Sequence, residues 1–235
     1  MNQIYEPIQE QFRKKKLTST LQNFYKPNMA VCEVGCGRDS IFNHLDGFSE
    51  MTIIEPELYF LDLQPDIINK SKVYKVRNKL EKVSELFKDK FDLVIVAGLI
   101  HEVNEPTKFL GHIRKICSEN GIVLITINNT HSIHRLIGNE MGELDNVNGL
   151  TTTAKFFNQF SGSFTMKNII EMCKKVDLSI EHHETFMPKF LPHSKMQRLI
   201  DDKIIDIDFV NSLYKIGETG VLTNFGSEII LVVRK

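Results

Sequence analysis

Glu33, Gly35 and Gly37 stand in the stretch VCEVGCGRDS, directly after a short apolar run, and Asp39 lies at the far end of the turn. Two glycines spaced by one residue let a backbone approach a ligand closely, because no Cβ intervenes. Two carboxylates flanking such a turn repel a pyrophosphate and favour a ligand carrying an ammonium and a sulfonium. Ser40 occupies the third glycine position of GxGxxG, so the dinucleotide pattern is incomplete. Glu55 follows Gly35 by twenty positions, where an acid ending a second strand accepts both hydroxyls of a ribose. A plain surface acid is the alternative reading of Glu55.

Proton chemistry falls to the histidines, of which there are eight. His101, in GLIHEV, follows a strongly apolar run. His131 and His134, in NNTHSIHRL, follow another, and Arg135 is next in line. A histidine near neutral pKa can take the proton of an alcohol, and an arginine fork suits a phosphate or carboxylate. Each also has a structural reading: a turn histidine for His101, a helix cap for His134, an ion pair for Arg135. His182 and His183 are adjacent on one strand and read as structural. His193 is placed to cover a pocket. Cys32, Cys36, Cys117 and Cys173 form no CxxC pair, so no metal site is expected. Cys32 reads as strand core and Cys36 as a small loop residue near the ligand.

These residues need elements to position them. Residues 4–25 place apolar side chains at helical spacing before Pro27. MAVCEV, MTIIE, SKVYKVR, FDLVIVAG and GIVLITINN read as strands. DSIFNHL is expected to open a helix capped by Asp39 or Ser40, KLEKVSELF to be helical, and EPTKFLGHIRKICSEN to be a helix closed by Gly121. After Asn129 the alternation stops. MKNIIEMCKKV is a further helix, and LSIEHHETF and EIILVVRK are closing strands. β-Branched strands alternating with helices predict an α/β fold, a mostly parallel doubly wound sheet. One domain over residues 1–235 is expected, with a ligand-binding core at about 28–130 and insertions at 130–165 and 187–225 that form a lid.

Composition narrows the partners. The 235 residues carry 25% charged and 42% hydrophobic side chains and a net charge of −1. Without a basic excess, nucleic acid is not the expected partner. No apolar run reaches the roughly 18–20 residues of a membrane span. The first residues lack the basic-then-apolar pattern of a signal peptide, so a cytoplasmic location is expected.

The stretches EVGCGRDS, TIIEPE, FDLVIVAGLIHEVNEPTKFL and ICSENGIVLITINN, in order, resemble the successive motifs of the class I S-adenosylmethionine-dependent methyltransferases. The resemblance implies a seven-stranded Rossmann-like sheet whose terminal strand is antiparallel, with LSIEHHETF and GSEIILVVRK as the closing pair. It implies S-adenosyl-L-methionine as cofactor and S-adenosyl-L-homocysteine as product. Glu33, Gly35, Cys36 and Gly37 would line the methionine end. Glu55 would hold the ribose beside Pro56. Asn78, Lys79 and Leu80 would meet adenine, and Gly98 and Leu99 would face the methionine portion. Asp39 replaces the third glycine of that family's turn.

N-x-H-S-x-H-R and FMPKFLPHSKMQ are similar to a subgroup that acts on sugars and surface-glycan precursors. The similarity implies O-methylation of a small-molecule sugar or nucleotide-linked acceptor, with His101 and His134 as catalytic candidates and His131 and Arg135 as acceptor contacts. The subgroup's His-Arg pair before SFTM is missing. Phe156, Phe157, Phe160 and Phe164 stand there instead, as core or as pocket lining. N-methylation of a small amine or phospho-metabolite, a non-catalytic cofactor-binding subunit and a nicotinamide oxidoreductase are the competing readings. GLIHEV after the fourth strand lacks the Asn/Asp-Pro-Pro-aromatic element with which enzymes hold a flipped base.

Overall fold

A computed structural model describes residues 4–68, 71–144, 146–150 and 164–235. Its strands are β1 (Ala30–Val34), β2 (Glu50–Ile54), β3 (Ile67–Ile68), β4 (Ser71–Val76), β5 (Phe91–Ala97), β6 (Cys117–Asn128), β7 (Ser179–Phe186) and β8 (Glu228–Arg234). They form one sheet in the order β3-β4-β2-β1-β5-β6-β8-β7. Strands β4, β2, β1, β5 and β6 are parallel, and β8 runs antiparallel between β6 and β7. The doubly wound sheet with its closing pair is therefore as the sequence predicts. The two-residue β3, antiparallel to β4 at the edge, was not anticipated.

Alternation along the strands explains the two layers. Val31, Met51, Ile53, Leu93, Ile95, Leu124, Ile230 and Val232 fall in one core. Cys32, Val34, Ile54, Val94, Val96, Ile125, Leu231 and Val233 fall in the other. Successive side chains point to opposite faces, and both faces are covered, so each strand reads as a continuous apolar run. The first face packs against α1 (Tyr5–Leu21), α7 (His193–Asp201) and α8 (Ile207–Glu218), through Leu17, Leu21, Met196, Val210 and Tyr214. The second packs against α3 (Leu80–Val83), α4 (Pro106–Ile116) and α6 (Met166–Lys175), through Leu110, Ile113, Ile169 and Cys173. The remaining helices, α2 (Leu58–Asp62) and α5 (Ile133–Glu140), lie beyond the carboxyl ends of β2 and β6. Burying one Leu or Ile in such a layer contributes roughly 1.5–3 kcal/mol.

Two predicted helices are shorter than their sequences imply. DSIFNHL forms only a 3₁₀ turn, Ile41–His44. Neither Asp39 nor Ser40 is left to cap a longer helix: Ser40 Oγ donates to Glu33, and Asp39 is paired with Lys14. The helix expected to end at Gly121 stops at Ile116, because Cys117 already pairs with Phe91 in the sheet. Gly121 serves a different purpose there. A Cβ on it would lie 2.6 Å from Cys117 Sγ and 2.9 Å from the Phe91 carbonyl oxygen, so the bulged start of β6 needs glycine. Phe164 is buried in the second core, whereas Phe156, Phe157 and Phe160 lie outside the described residues.

Candidate active site

The carboxyl edge of β1, β2, β4 and β5 opens into a cleft of about 650 Å³. Gly35, Gly37, Glu55, Pro56, Asn78, Lys79, Leu80, Gly98 and Leu99 all line it, as do Ala97, Glu57, Glu81 and Glu102. Four segments distant in sequence thus meet because each directly follows a parallel strand, where ligand clefts of open α/β sheets lie.

The glycine turn is held from three sides. Gly35 N donates to the Ile54 carbonyl at 3.0 Å. Buried Glu33 accepts from Ser40 Oγ and, at 3.2 Å, from Ile41 N. Gln64 Nε2 donates to the Gly37 carbonyl at 3.1 Å and to that of Arg38 at 3.4 Å. Gly35 has φ +75°, and a Cβ there would approach Leu99 Cδ2 to 2.9 Å. Gly37 and Gly98 also have positive φ, but a Cβ on either would meet nothing within 4 Å. That open space is cleft, so the missing side chains leave backbone exposed to a ligand.

Glu55 is buried at the cleft wall, with Oε1 accepting from Glu57 N at 2.9 Å. The amides of Cys36 and Gly37 also hydrogen-bond its carboxylate. Burial dominates and raises its pKa, although the amide hydrogen bonds pull the other way. Glu57, Glu81 and Glu102 line the cleft with it, as does Lys79, so carboxylates outnumber cations. A cationic nucleoside fits this lining; a pyrophosphate does not.

Glu33 and Cys36 lie on the other side of the glycine turn from the main cleft. Both line a smaller cavity of about 190 Å³ with Glu10, Arg13, Lys14 and Leu17 of α1. This cavity shares Gly35, Gly37 and Ala97 with the main cleft, so the two meet across the turn. Glu33 is committed to the turn itself, through Ser40 and Ile41. The Cys36 thiol is buried, and burial with Glu33 and Glu55 nearby pushes its pKa up to about 12, which keeps it a thiol. Asp39 pairs with Lys14 and accepts from Asn43 Nδ2 at 2.8 Å. Burial would raise its pKa, but these two partners outweigh it and hold it low. Its charge is thus balanced by α1, so the acidity of the site comes from Glu55, Glu57, Glu81 and Glu102 rather than from the turn.

His101 is buried in a 3₁₀ turn after β5, with Nε2 3.8 Å from Glu102 Oε1. Burial lowers its pKa, and the charge of Glu228 offsets only part of that. His134 lies on α5 with Nδ1 buried and unpartnered. Burial, then Lys189 and Arg135, push its pKa down to about 2. Neither ring lines the main cleft or the smaller cavity. His131 is exposed, and its backbone N donates to Asn129 Oδ1 at 3.0 Å. Arg135 is buried, and Nη2 donates at 2.6 Å to the carbonyls of both Val147 and Gly149. Its fork therefore ties the segment after α5 down. His182 bonds Glu184 on β7 at 2.9 Å, in keeping with a structural role. Among the described residues, no group of three metal-ligating side chains occurs. No helix among them is long and apolar enough to cross a membrane.

The family model for a methyltransferase domain matches residues 8–183. A search of curated proteins finds no match. Several solved structures share the fold. An S-adenosylmethionine-dependent methyltransferase from Mesorhizobium loti superposes with a TM-score of 0.64 at 14% identity, over 92% of this chain and 96% of that one. A SAM-dependent methyltransferase from Archaeoglobus fulgidus gives 0.56 at 13% identity, over 99% and 100%. The 1,6-didemethyltoxoflavin-N1-methyltransferase of Burkholderia thailandensis, solved with bound 1,6-didemethyltoxoflavin and S-adenosylhomocysteine, gives 0.58 at 12% identity, over 94% and 77%.

Proposed function

We infer, for a chain that belongs to the methyltransferase-domain family of S-adenosylmethionine-dependent enzymes, that it methylates a small polar acceptor, with a hydroxyl of a sugar or nucleotide-linked precursor as the receiving group. The observation that carries this reading is the carboxylate-lined cleft at the ends of β1, β2, β4 and β5, which adjoins a second cavity across Gly35, Gly37 and Ala97. When bound, S-adenosylmethionine supplies a methyl group on a sulfonium, open to in-line attack. Glu55 would accept the ribose hydroxyls, Pro56 would lie beside the adenosine, and Asn78, Lys79 and Leu80 would border adenine. Gly35, Gly37, Gly98 and Leu99 would shape the wall along the methionine portion, with the bent turn fixed by Glu33 and Gln64. The segments at 130–165 and 187–225 are assigned to covering the acceptor, since loops beyond parallel strands commonly carry specificity.

An alcohol must lose a proton as its oxygen bonds the methyl carbon, and the two histidines are not equal candidates to take it. A base serves best with a pKa near the working pH. His134, pushed down to about 2, is too weak a base. His101 is opposed by burial but supported by Glu228, and its Nε2 lies toward Glu102, a cleft residue. We therefore assign proton acceptance to His101 Nε2.

The test is calorimetric binding of S-adenosylmethionine and S-adenosylhomocysteine to the wild type and to Glu55→Ala. Losing hydrogen bonds to a charged acceptor, each worth about 1.5–3 kcal/mol, weakens binding at least tenfold. A folded wild type that binds neither ligand overturns the reading. Transfer of labelled methyl to a panel of sugar nucleotides and amines then decides the receiving atom. An O-methyl product that disappears in His101→Ala supports the assignment, and an N-methyl product replaces it with an amine acceptor.

A further inference from the structure

On the β6–β8–β7 side of the carboxyl edge, under α1, lies a cluster of charged groups outside the main cleft. Arg13 Nε donates to both oxygens of Glu228 at 2.9 Å, and Nη2 donates to Oε1 at 2.5 Å. Glu228 opens β8 and is 7% exposed, so this carboxylate is neutralised by a forked partner. Lys189, three residues beyond β7, is partly buried, and no hydrogen bond or ion pair joins it to the described residues. Within its electrostatic reach are Glu228 from β8, Arg13 from α1 and Arg135 from α5. His134 of α5 and His193 of α7 feel its charge in turn. Arg13 and Lys189 thus both feel Glu228, Arg13 also feels Glu10 and His193 feels Glu6, and both histidines have lowered pKa values and stay neutral near pH 7.

Unsatisfied polar atoms lie on the adjoining segments. His134 Nδ1, Ser132 Oγ and Ser227 Oγ are buried without hydrogen-bond partners. Two backbone bonds bring their segments together: Ile133 N to the Phe225 carbonyl at 3.3 Å, and Ser227 N to that of Met187 at 3.0 Å. Buried polar atoms are nearly always bonded, so a group of orphans beside an unpaired lysine marks a missing acceptor of hydrogen bonds. Burial, with Arg13 and Arg135 and against the pull of Glu228, lowers the Lys189 pKa to about 8. An anion would relieve that cost.

We propose that this cluster is the anion-binding end of the acceptor site: the methyl acceptor carries a carboxylate or phosphate that pairs with Lys189, with Ser132, His134 and Ser227 as neutral donors. The proposal rests on the methyl-transfer reading above and adds the charge class of the acceptor. Arg13 is a positioning residue here, since its fork is spent on Glu228.

The experiment titrates inorganic phosphate, and separately malonate, into the full chain with and without S-adenosylhomocysteine. Wild type, Lys189→Met and Lys189→Arg are compared at pH 7.0 and pH 9.5, values chosen on either side of the lysine's pKa of about 8. The expected result is binding of one anion or both, weakened at least tenfold by the methionine and kept by the arginine. Above pH 8 the wild type loses affinity relative to Lys189→Arg, because only lysine deprotonates there; the arginine variant cancels the ligand's own titration. Preference for phosphate or for malonate names the group. Failure of the wild type to bind either anion, or equal binding by wild type and Lys189→Met, overturns the proposal. Failure to bind S-adenosylhomocysteine strikes the methyl-transfer reading instead, and the anion titration without that ligand is read independently of it.

Discussion

The cleft at β1, β2, β4 and β5 is lined by Glu55, Glu57, Glu81 and Glu102 beside Lys79, whereas the cluster under α1 brings Arg13, Arg135 and Glu228 within electrostatic reach of Lys189. Both sit at the carboxyl edge of one sheet, but they are assembled differently. The acidic cleft takes each contribution from residues just beyond one strand end, so short-range order in the chain builds it. The cationic cluster joins α1, α5, the segment after β7 and the start of β8, and its central pair spans 215 positions of sequence. Segregated charge of this kind holds two oppositely charged ligands in a fixed order, each repelled from the other's end.

The largest effect that tests the contrast is expected at the shared wall. Gly35→Ala places a Cβ 2.9 Å from Leu99 Cδ2 at φ +75°, while Gly37→Ala meets open space at φ +56°. Left-handed strain alone costs an ordinary side chain about 1–2 kcal/mol. The first variant adds the clash, so binding of S-adenosylhomocysteine should fall about 100-fold or more, equivalent to about 3 kcal/mol. The second should fall about tenfold through strain and crowding of the cleft. Calorimetry on both variants checks the order. Equal losses would mean that Leu99 gives way freely and that Gly35 is an ordinary turn residue.

What the sequence discloses follows the same division. Gly35, Gly37 and Glu55 are recognisable because an apolar strand run announces the edge at which they stand, Asn78, Lys79, Leu80, Gly98 and Leu99 only through the family resemblance, and all line the cleft. The acids Glu57, Glu81 and Glu102 escaped notice, although an acid within a few residues of a strand end was the available signal. Gln64 gave none: a glutamine after a short helix becomes an anchor only when the turn's carbonyls lie 3.1–3.4 Å away. Arg13 and Glu228 could not be paired in advance, because β8 is inserted antiparallel between β6 and β7 and brings late residues beside early ones. The charge reading of the turn was right in sign for the cleft but misplaced in residue, since Lys14 balances Asp39.

At the cationic end, the next effect in size comes from Glu228→Gln. Breaking a fully buried ion pair costs about 3–5 kcal/mol, and Arg13, with its side chain 34% exposed, recovers part of that from water. A loss of about 2 kcal/mol in urea unfolding is expected. The same variant removes the carboxylate that attracts Lys189, so phosphate should bind more tightly than in the wild type. Destabilisation with weaker phosphate binding would show that Glu228 orders the subsite more than its charge opposes the ligand.

The smallest effect concerns acid. His134 has a folded pKa of about 2, far below its ordinary value near 6.5. Below pH 6.5 the unfolded chain takes up a proton that the folded chain refuses, so stability falls as pH drops from there and levels off only when the folded pKa is reached. The slope contributed is at most about 1.4 kcal/mol per pH unit, and about 1 kcal/mol between pH 6 and pH 5 is expected. His134→Gln has no such proton to bind and should flatten that part of the curve. Bound phosphate should flatten it too, by raising the folded pKa of His134 toward its ordinary value. Urea midpoints at pH 6 and pH 5, with and without phosphate, read both effects. A wild-type curve unchanged by phosphate would place His134 outside the anion's reach and confine the subsite to Lys189 and the two serines.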